Sequence, residues 1–239
     1  MKDIIHREIE IMSPVGSFES LIAAIQGGAG SVYFGIGKLN MRSRSAKNFT
    51  TDDLKEIVDI CRKYEVKSYL TLNTVIYDEE ILEMKRIVDQ ACKHGVSALI
   101  ASDPAVLNYA KQQGMELHIS TQCNITNIEA VKWYASYADV MVLARELSLK
   151  QIKTLSDQIV SQKITGPGGE LVRIEVFVHG ALCMAISGKC YLSLHSMDSS
   201  GNRGACLQVC RRSYEVRDKE TEAVFEVDHE YIMSPKDLC

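Results

Sequence analysis

Four cysteines close together, Cys183, Cys190, Cys206 and Cys210, are the residues whose type and spacing point most directly to chemistry. They read Cys-x6-Cys-x15-Cys-x3-Cys within 28 positions. Thiolates are soft ligands, and four of them gathered by glycine-rich turns can surround a tetrahedral zinc or occupy the corners of an iron–sulfur cluster. Zinc knuckles usually pair cysteines two to four residues apart, and only Cys206 and Cys210 have that form. Spacing alone therefore leaves zinc, cluster, and unligated or disulfide-bonded cysteines open. Cys61 and Cys92 belong to helical apolar stripes instead and read as small core residues.

A second group of candidates lies at the ends of β-like runs. In Arg173-Ile-Glu-Val-Phe-Val-His179, strand alternation puts Glu175, Phe177 and His179 on one face, with His179 four residues before Cys183. In Glu116-Leu-His-Ile-Ser-Thr-Gln122, His118, Ser120 and Gln122 share a face. Thr71 and Asn73 end a third run, and Arg145 and Glu146 follow a fourth, where they would meet a ligand or simply pair with each other. The loop 37–49 carries Lys38, Arg42, Arg44 and Lys47 with no acid among them, a composition suited to grasping a carboxylate or phosphate. Candidate catalytic residues are thus His179, Glu175 and His118, and candidate substrate-binding residues are Arg42, Arg44, Asn73, Gln122 and Arg145. Arg203, Arg211 and Arg212 add positive charge beside the cysteines, to balance thiolates or to meet an RNA backbone.

The elements that must position these residues follow a repeated βα rhythm up to about residue 180. Strands are expected at 9–13, 31–35, 67–73, 98–102, 116–121, 140–145 and 173–179, and helices at 18–27, 52–64, 79–94, 104–113, 127–136 and 148–161. Seven such repeats, without an early Gly-x-Gly-x-x-Gly turn, suit an α/β fold of the (β/α)8 TIM-barrel type better than a doubly wound sheet. The eighth repeat is missing. The expectation is an incomplete barrel over 1–180, truncated after about seven strands, and a Cys-rich, small α+β extension over 181–239 with a hairpin at 213–217 and 223–227. The chain is accordingly expected to be a piece of a longer protein. Its extension has little apolar surface of its own, which a metal site would compensate.

Composition sets the outer limits. The chain has 239 residues, 46% of them hydrophobic and 24% charged, with a net charge of −4, which argues against a globally basic nucleic-acid binder. No uninterrupted apolar run is long enough to span a membrane, and the charged N-terminus does not resemble a secretory leader, so a cytoplasmic protein without membrane contact is expected. Gly-x-Ser-x-Gly, His-Glu-x-x-His and Walker signatures are missing. A cysteine protease built on His179 and Cys183 is conceivable but would leave the other three thiols without a purpose.

The run Glu175-Val-Phe-Val-His179-Gly-Ala-Leu-Cys183-Met-Ala-Ile-Ser-Gly188-Lys-Cys190 closely resembles the signature of the collagenase-like peptidases, peptidase family U32. Ser13-Pro14-Val-Gly16, Ser120-Thr-Gln122, Leu143-Ala-Arg145-Glu146-Leu147, Asn202-Arg203-Gly204-Ala-Cys206 and Cys210-Arg211 are similar to the family as well. The resemblance implies two activities. One is proteolysis, from the family name. The other is oxygen-independent hydroxylation of RNA, at a transfer-RNA wobble uridine or a ribosomal-RNA cytidine, or of ubiquinone precursors by a paired sister-protein heterodimer, with prephenate as the oxygen source. It further implies that Cys183, Cys190, Cys206 and Cys210 hold a [4Fe-4S] cluster, that RNA and a small carboxylate such as prephenate are the partners, and that the chain alternatively serves as the cluster-carrying subunit of a heterodimer.

Overall fold

The computed structural model describes residues 9–41, 43–44, 49–180, 183 and 185–227. Seven parallel strands form one sheet in sequential order: β1 (Met12–Pro14), β2 (Ser31–Gly35), β3 (Lys67–Leu72), β4 (Ala98–Ala101), β5 (Leu117–Ile119), β6 (Val140–Val142) and β7 (Arg173–Glu175). Between them run α1 (Phe18–Gln26), α2 (Leu54–Lys63), α3 (Ile81–His94), α4 (Pro104–Gln112), α5 (Ile128–Ala135) and α6 (Leu149–Ser161). One helix per crossover, always to the neighbouring strand, curls the sheet into a half barrel, as the βα rhythm predicts. Among the described residues no strand joins β7 back to β1. Nor is any helix among them long and apolar enough to cross a membrane.

Alternation along the strands creates two different interiors. Phe34, Leu70, Leu72, Leu99, Leu117 and Ile119 face the helices and join their buried stripes in the main core. In α2 that stripe is Leu54, Ile57, Val58 and Cys61, and burial pushes the Cys61 thiol up to about 11, so it is a packing residue as expected. The opposite faces of the strands form a smaller cluster of Tyr69, Ala98 and Ile100, with Met12 and Tyr33 packed on it, inside the curl. Local chemistry starts the helices where the sequence signals them. Ser17, Asp103, Asn127 and Ser148 each accept a bond from a backbone N–H of the first turn, and Pro104 follows Asp103 at the first helical position.

Two expectations need correction. Strand seven stops at Glu175 instead of continuing to His179. Its partner β6 ends at Val142, which pairs with Glu175, and Leu143 then turns to bridge Ile125. Without a ladder on either side, Val176, Phe177 and Val178 leave the sheet exposed. The second correction is an unforeseen helix, α7 (Leu192–Met197), within the cysteine segment. Only Ser193 of α7 is buried, so it lacks the apolar periodicity that betrays a helix in sequence. The hairpin is present as antiparallel β8 (Tyr214–Arg217) and β9 (Val224–Val227), its turn held by the Asp218 carboxylate accepting from the N–H groups of Glu220 and Thr221.

Candidate functional site

The C-terminal ends of the strands carry polar side chains that tie one loop to the next. Asn73, just past β3, accepts from the Met41 N–H at 3.1 Å and donates to Ser120 Oγ at 3.3 Å, so it joins the loops after β2 and β5. After β5 the chain makes a 3-10 turn, Thr121–Cys123, capped by Ser120, and this turn presents Gln122. Asn124, in the left-handed region at φ +51°, ends it. Its Nδ2 donates to the carbonyls of Gln122 and Ser187, both at 2.9 Å. From the end of β6, Arg145 Nη2 donates to Ser187 Oγ at 2.8 Å, so among the described residues its partner is Ser187 and not the adjacent Glu146.

Ser187 belongs to the cysteine segment, which lies across this rim. A second contact is made where Ser43 Oγ donates to the Gly204 carbonyl at 2.9 Å and Arg44 Nη1 to Ser199 Oγ at 3.4 Å. A third joins Arg203 to Glu80 through both guanidinium nitrogens, to the Val75 carbonyl, and to the face of the Tyr77 ring 4.0 Å away. Arg203 is therefore neutralised by the barrel and is not the unassigned positive charge that its neighbourhood suggests. Asn73 and Arg145 lie at the strand ends with Gln122, and Arg44 meets the cysteine segment through Ser199. Arg42 lies outside the described residues.

Beneath the mouth, inside the curl, the buried His118 sits between two carboxylates. Its Nδ1 is 3.4 Å from Glu175 Oε2 and its Nε2 3.7 Å from Glu116 Oε1. The Tyr69 ring centroid is 4.5 Å from its own. The carboxylate separations are ion-pair distances without hydrogen-bond geometry, so the attraction is coulombic. Burial opposes the imidazolium, but Glu116 and Glu175 outweigh it and the His118 pKa is raised. Glu116 is pulled down to about 2 by His118, with Arg173 adding to the effect against burial. His179 is exposed in the stretch after β7 and does not share a face with Glu175, because the strand that would align them has ended. Tyr69 and Glu116 were not among the sequence candidates. Their period-2 placement facing His118 was the available signal.

Several buried polar atoms at this end carry no hydrogen bond among the described residues: Thr74 Oγ1, Gln122 Oε1, Asn124 Oδ1 and Arg145 Nε. Unpartnered buried donors and acceptors are costly, and their concentration at one mouth marks a place where a polar ligand or water completes the structure. A donor (Arg145) stands beside acceptors (Gln122, Asn124) around Ser187, a mixture that suits an anion bearing donor groups of its own.

All four motif thiols are uncrosslinked; Cys183 and Cys206 are exposed, Cys190 and Cys210 half-buried. Burial first, then Cys183 and Cys206, and after them Cys190, push the Cys210 thiol up, so all three sit within electrostatic reach of it. Among the described residues no three His, Cys, Asp or Glu side chains converge closely enough to hold a metal ion. The donor set nevertheless fits a sulfur-bound centre in kind: four soft ligands share one segment, and two of them are exposed.

A model of peptidase family U32 matches residues 16–239. A collagenase of Porphyromonas gingivalis is 60% identical over 97% of this chain and 56% of its own length. The tRNA hydroxylation protein P1 of Bacillus subtilis is 32% identical over 99% of this chain and 55% of its own. The chain thus spans about half the length of the curated relatives it matches. A solved U32 peptidase, Mk0906, superposes with a TM-score of 0.58 at 11% identity over 73% of this chain and 70% of that one, a likeness that speaks to the fold alone.

Proposed function

The chain belongs to peptidase family U32, and from that premise we propose that it is the catalytic barrel of an oxygen-independent RNA hydroxylase whose thiols Cys183, Cys190, Cys206 and Cys210 hold a [4Fe-4S] cluster. The observation that carries this reading is the juxtaposition of four uncrosslinked thiols with a barrel mouth rich in unpartnered buried polar atoms. Such a cluster supplies one-electron transfer at the rim. The rest belongs to the chain's own residues. Arg145 offers its Nε, and Gln122 and Asn124 offer acceptor oxygens, to a small hydroxylated carboxylate of the prephenate kind. Arg44 and Asn73 order the loops around it. Beneath the mouth His118 stands between Glu116 and Glu175, and the Glu175 carboxylate is the group placed to accept a proton there. The relative named as a tRNA hydroxylation protein favours an RNA base as the group modified.

The test is anaerobic isolation of the full-length protein with iron and sulfide assays, joined to nucleoside mass spectrometry of RNA from a deletion strain. Four iron and four sulfide per chain, lost on Cys→Ser replacement, and one hydroxylated nucleoside missing from the deletion strain are expected. A colourless protein with stoichiometric zinc and unchanged RNA overturns the reading. The collagenase relative favours a second reading, proteolysis. The exposed His179 and Cys183 make no hydrogen bond to each other among the described residues, so this reading lacks an assembled nucleophile and base. Gelatin cleavage that survives both His179→Ala and Cys183→Ala excludes them as its machinery.

A further inference from the structure

The described residues of the cysteine segment bury almost no apolar side chain. Of its described hydrophobic residues only Val209 is buried, while Ile186, Tyr191, Leu192, Leu194 and Met197 are exposed. Hydrophobic burial by these residues therefore does little to fix where Cys190 and Cys206 stand, and orientation falls to polar contacts with the rim. One contact bears on two thiols at once. The turn Gly201–Arg203 lies between them: Asn202 Oδ1 accepts from the Cys190 N–H at 2.9 Å, and a Cβ at Gly201 would stand 3.4 Å from Cys206 Cβ. The middle of that turn is thus bonded to one thiol-bearing residue and its start packed against another. Arg203, its last residue, reaches across to the loop between β3 and α3.

We propose that Arg203 and Glu80 form a positioning clamp that fixes the Gly201–Arg203 turn on the barrel rim and so sets the spacing of Cys190 and Cys206. The geometry is suited to the task. Arg203 makes two nitrogen contacts to one carboxylate, a further bond to the Val75 carbonyl, and a stack on Tyr77, so the guanidinium is held in position and in plane. Its side chain and that of Glu80 are 24% and 18% exposed, which shields the pair from the screening that weakens surface ion pairs. Glu80 is itself prepared, since its carboxylate also accepts from the Tyr77 N–H at 2.8 Å and Arg203 holds its pKa below the usual range. Lysine offers neither the fork nor the stack, so Arg203→Lys is not a conservative change here.

The clamp deepens the four-thiol reading of the proposed function and rests on it for its purpose, but it has a test that does not. In the full-length protein without metal, hydrogen exchange across 199–211 is expected to rise about tenfold or more in Arg203→Gln and in Glu80→Gln, the scale of a lost charge-assisted contact. Exchange in β2 to β6 is expected to stay as in the parent, which shows that the barrel has folded. The reversed pair, Arg203→Glu with Glu80→Arg, is expected to recover part of the protection, and Lys153→Gln on the outer helix α6 to change nothing. Cobalt(II), followed by its thiolate charge-transfer absorption, is expected to bind the two single variants about tenfold more weakly than the parent. Unchanged exchange in both single variants overturns the clamp. A parent chain that takes up neither cobalt nor iron overturns the four-thiol reading instead, and the exchange comparison then decides the clamp alone.

Discussion

Gly204 is where the seam between barrel and cysteine segment leaves no room for a side chain. Its backbone is left-handed at φ +77°, and a Cβ there would fall 2.1 Å from the Asn40 carbonyl oxygen, a backbone atom on a fully buried residue that cannot give way. Gly204→Ala is expected to lower the opening free energy of 199–211 by about 2–3 kcal/mol, read by hydrogen exchange. Gly169, equally left-handed at φ +82° but with nothing within 4 Å of its Cβ, is the comparison: Gly169→Ala should leave that segment untouched and show only local strain of about 1 kcal/mol. The other residue-scale expectation concerns the buried imidazole. A raised His118 pKa stabilises the fold fully below its ordinary value of 6.5, and the contribution disappears as pH climbs through the raised folded value. Glu116, pulled down to about 2 from 4.5, works in the other direction: its contribution is present above 4.5 and is lost as pH falls toward 2. Urea unfolding at stepped pH should therefore show greatest stability between these limits. His118→Gln should flatten the alkaline limb, and an alkaline limb identical in parent and variant would show that the imidazole is neutral in the fold.

The elements show why sequence reading succeeds locally and stops at contacts. The period-2 and period-3.6 patterns located all seven strands and α1 to α6 to within a few residues, because each buries one face against the same core and records that face in its own sequence. Strand seven is four residues shorter than its alternation predicts, since Val176, Phe177 and Val178 have strand chemistry but no neighbouring ladder among the described residues, and pairing is not written in a single strand. The site divides in the same way. Gln122, Asn73 and Arg145 were visible as polar strand ends, whereas the Arg203–Glu80 pair joins residues 123 apart and leaves no local trace. The shortened β7 makes a direct prediction. Phe177, 41% exposed, should accept lysine with a stability change within about 0.5 kcal/mol, while Phe34→Ala in the helix-facing core should cost about 3–5 kcal/mol. A Phe177→Lys penalty approaching that of Phe34 would mean that the strand continues inside the curl as its alternation suggests.

At the scale of the whole molecule, stability and chemistry reside in different places. The main core of the described residues runs from Val15 to Val172 and lies between the sheet and its six helices, and the described residues of the cysteine segment add nothing to it. That segment brings the thiols, and it meets the barrel through hydroxyls, amides, one glycine seam and an arginine. A scaffold of this kind can keep its fold while the segment shifts between a held and a released position, because cooperative unfolding follows buried apolar surface and the rim contacts contribute little of it. Replacing Cys183, Cys190, Cys206 and Cys210 together by serine is therefore expected to abolish metal uptake, raise exchange across 185–211, and move the barrel's urea unfolding by no more than about 0.5 kcal/mol with an unchanged denaturant slope, followed by circular dichroism. The slope carries the decision. Were the segment part of the barrel's cooperative unit, its release would expose additional surface early and reduce the slope along with the midpoint, and barrel and segment would then have to be treated as one folding unit whose stability depends on its metal.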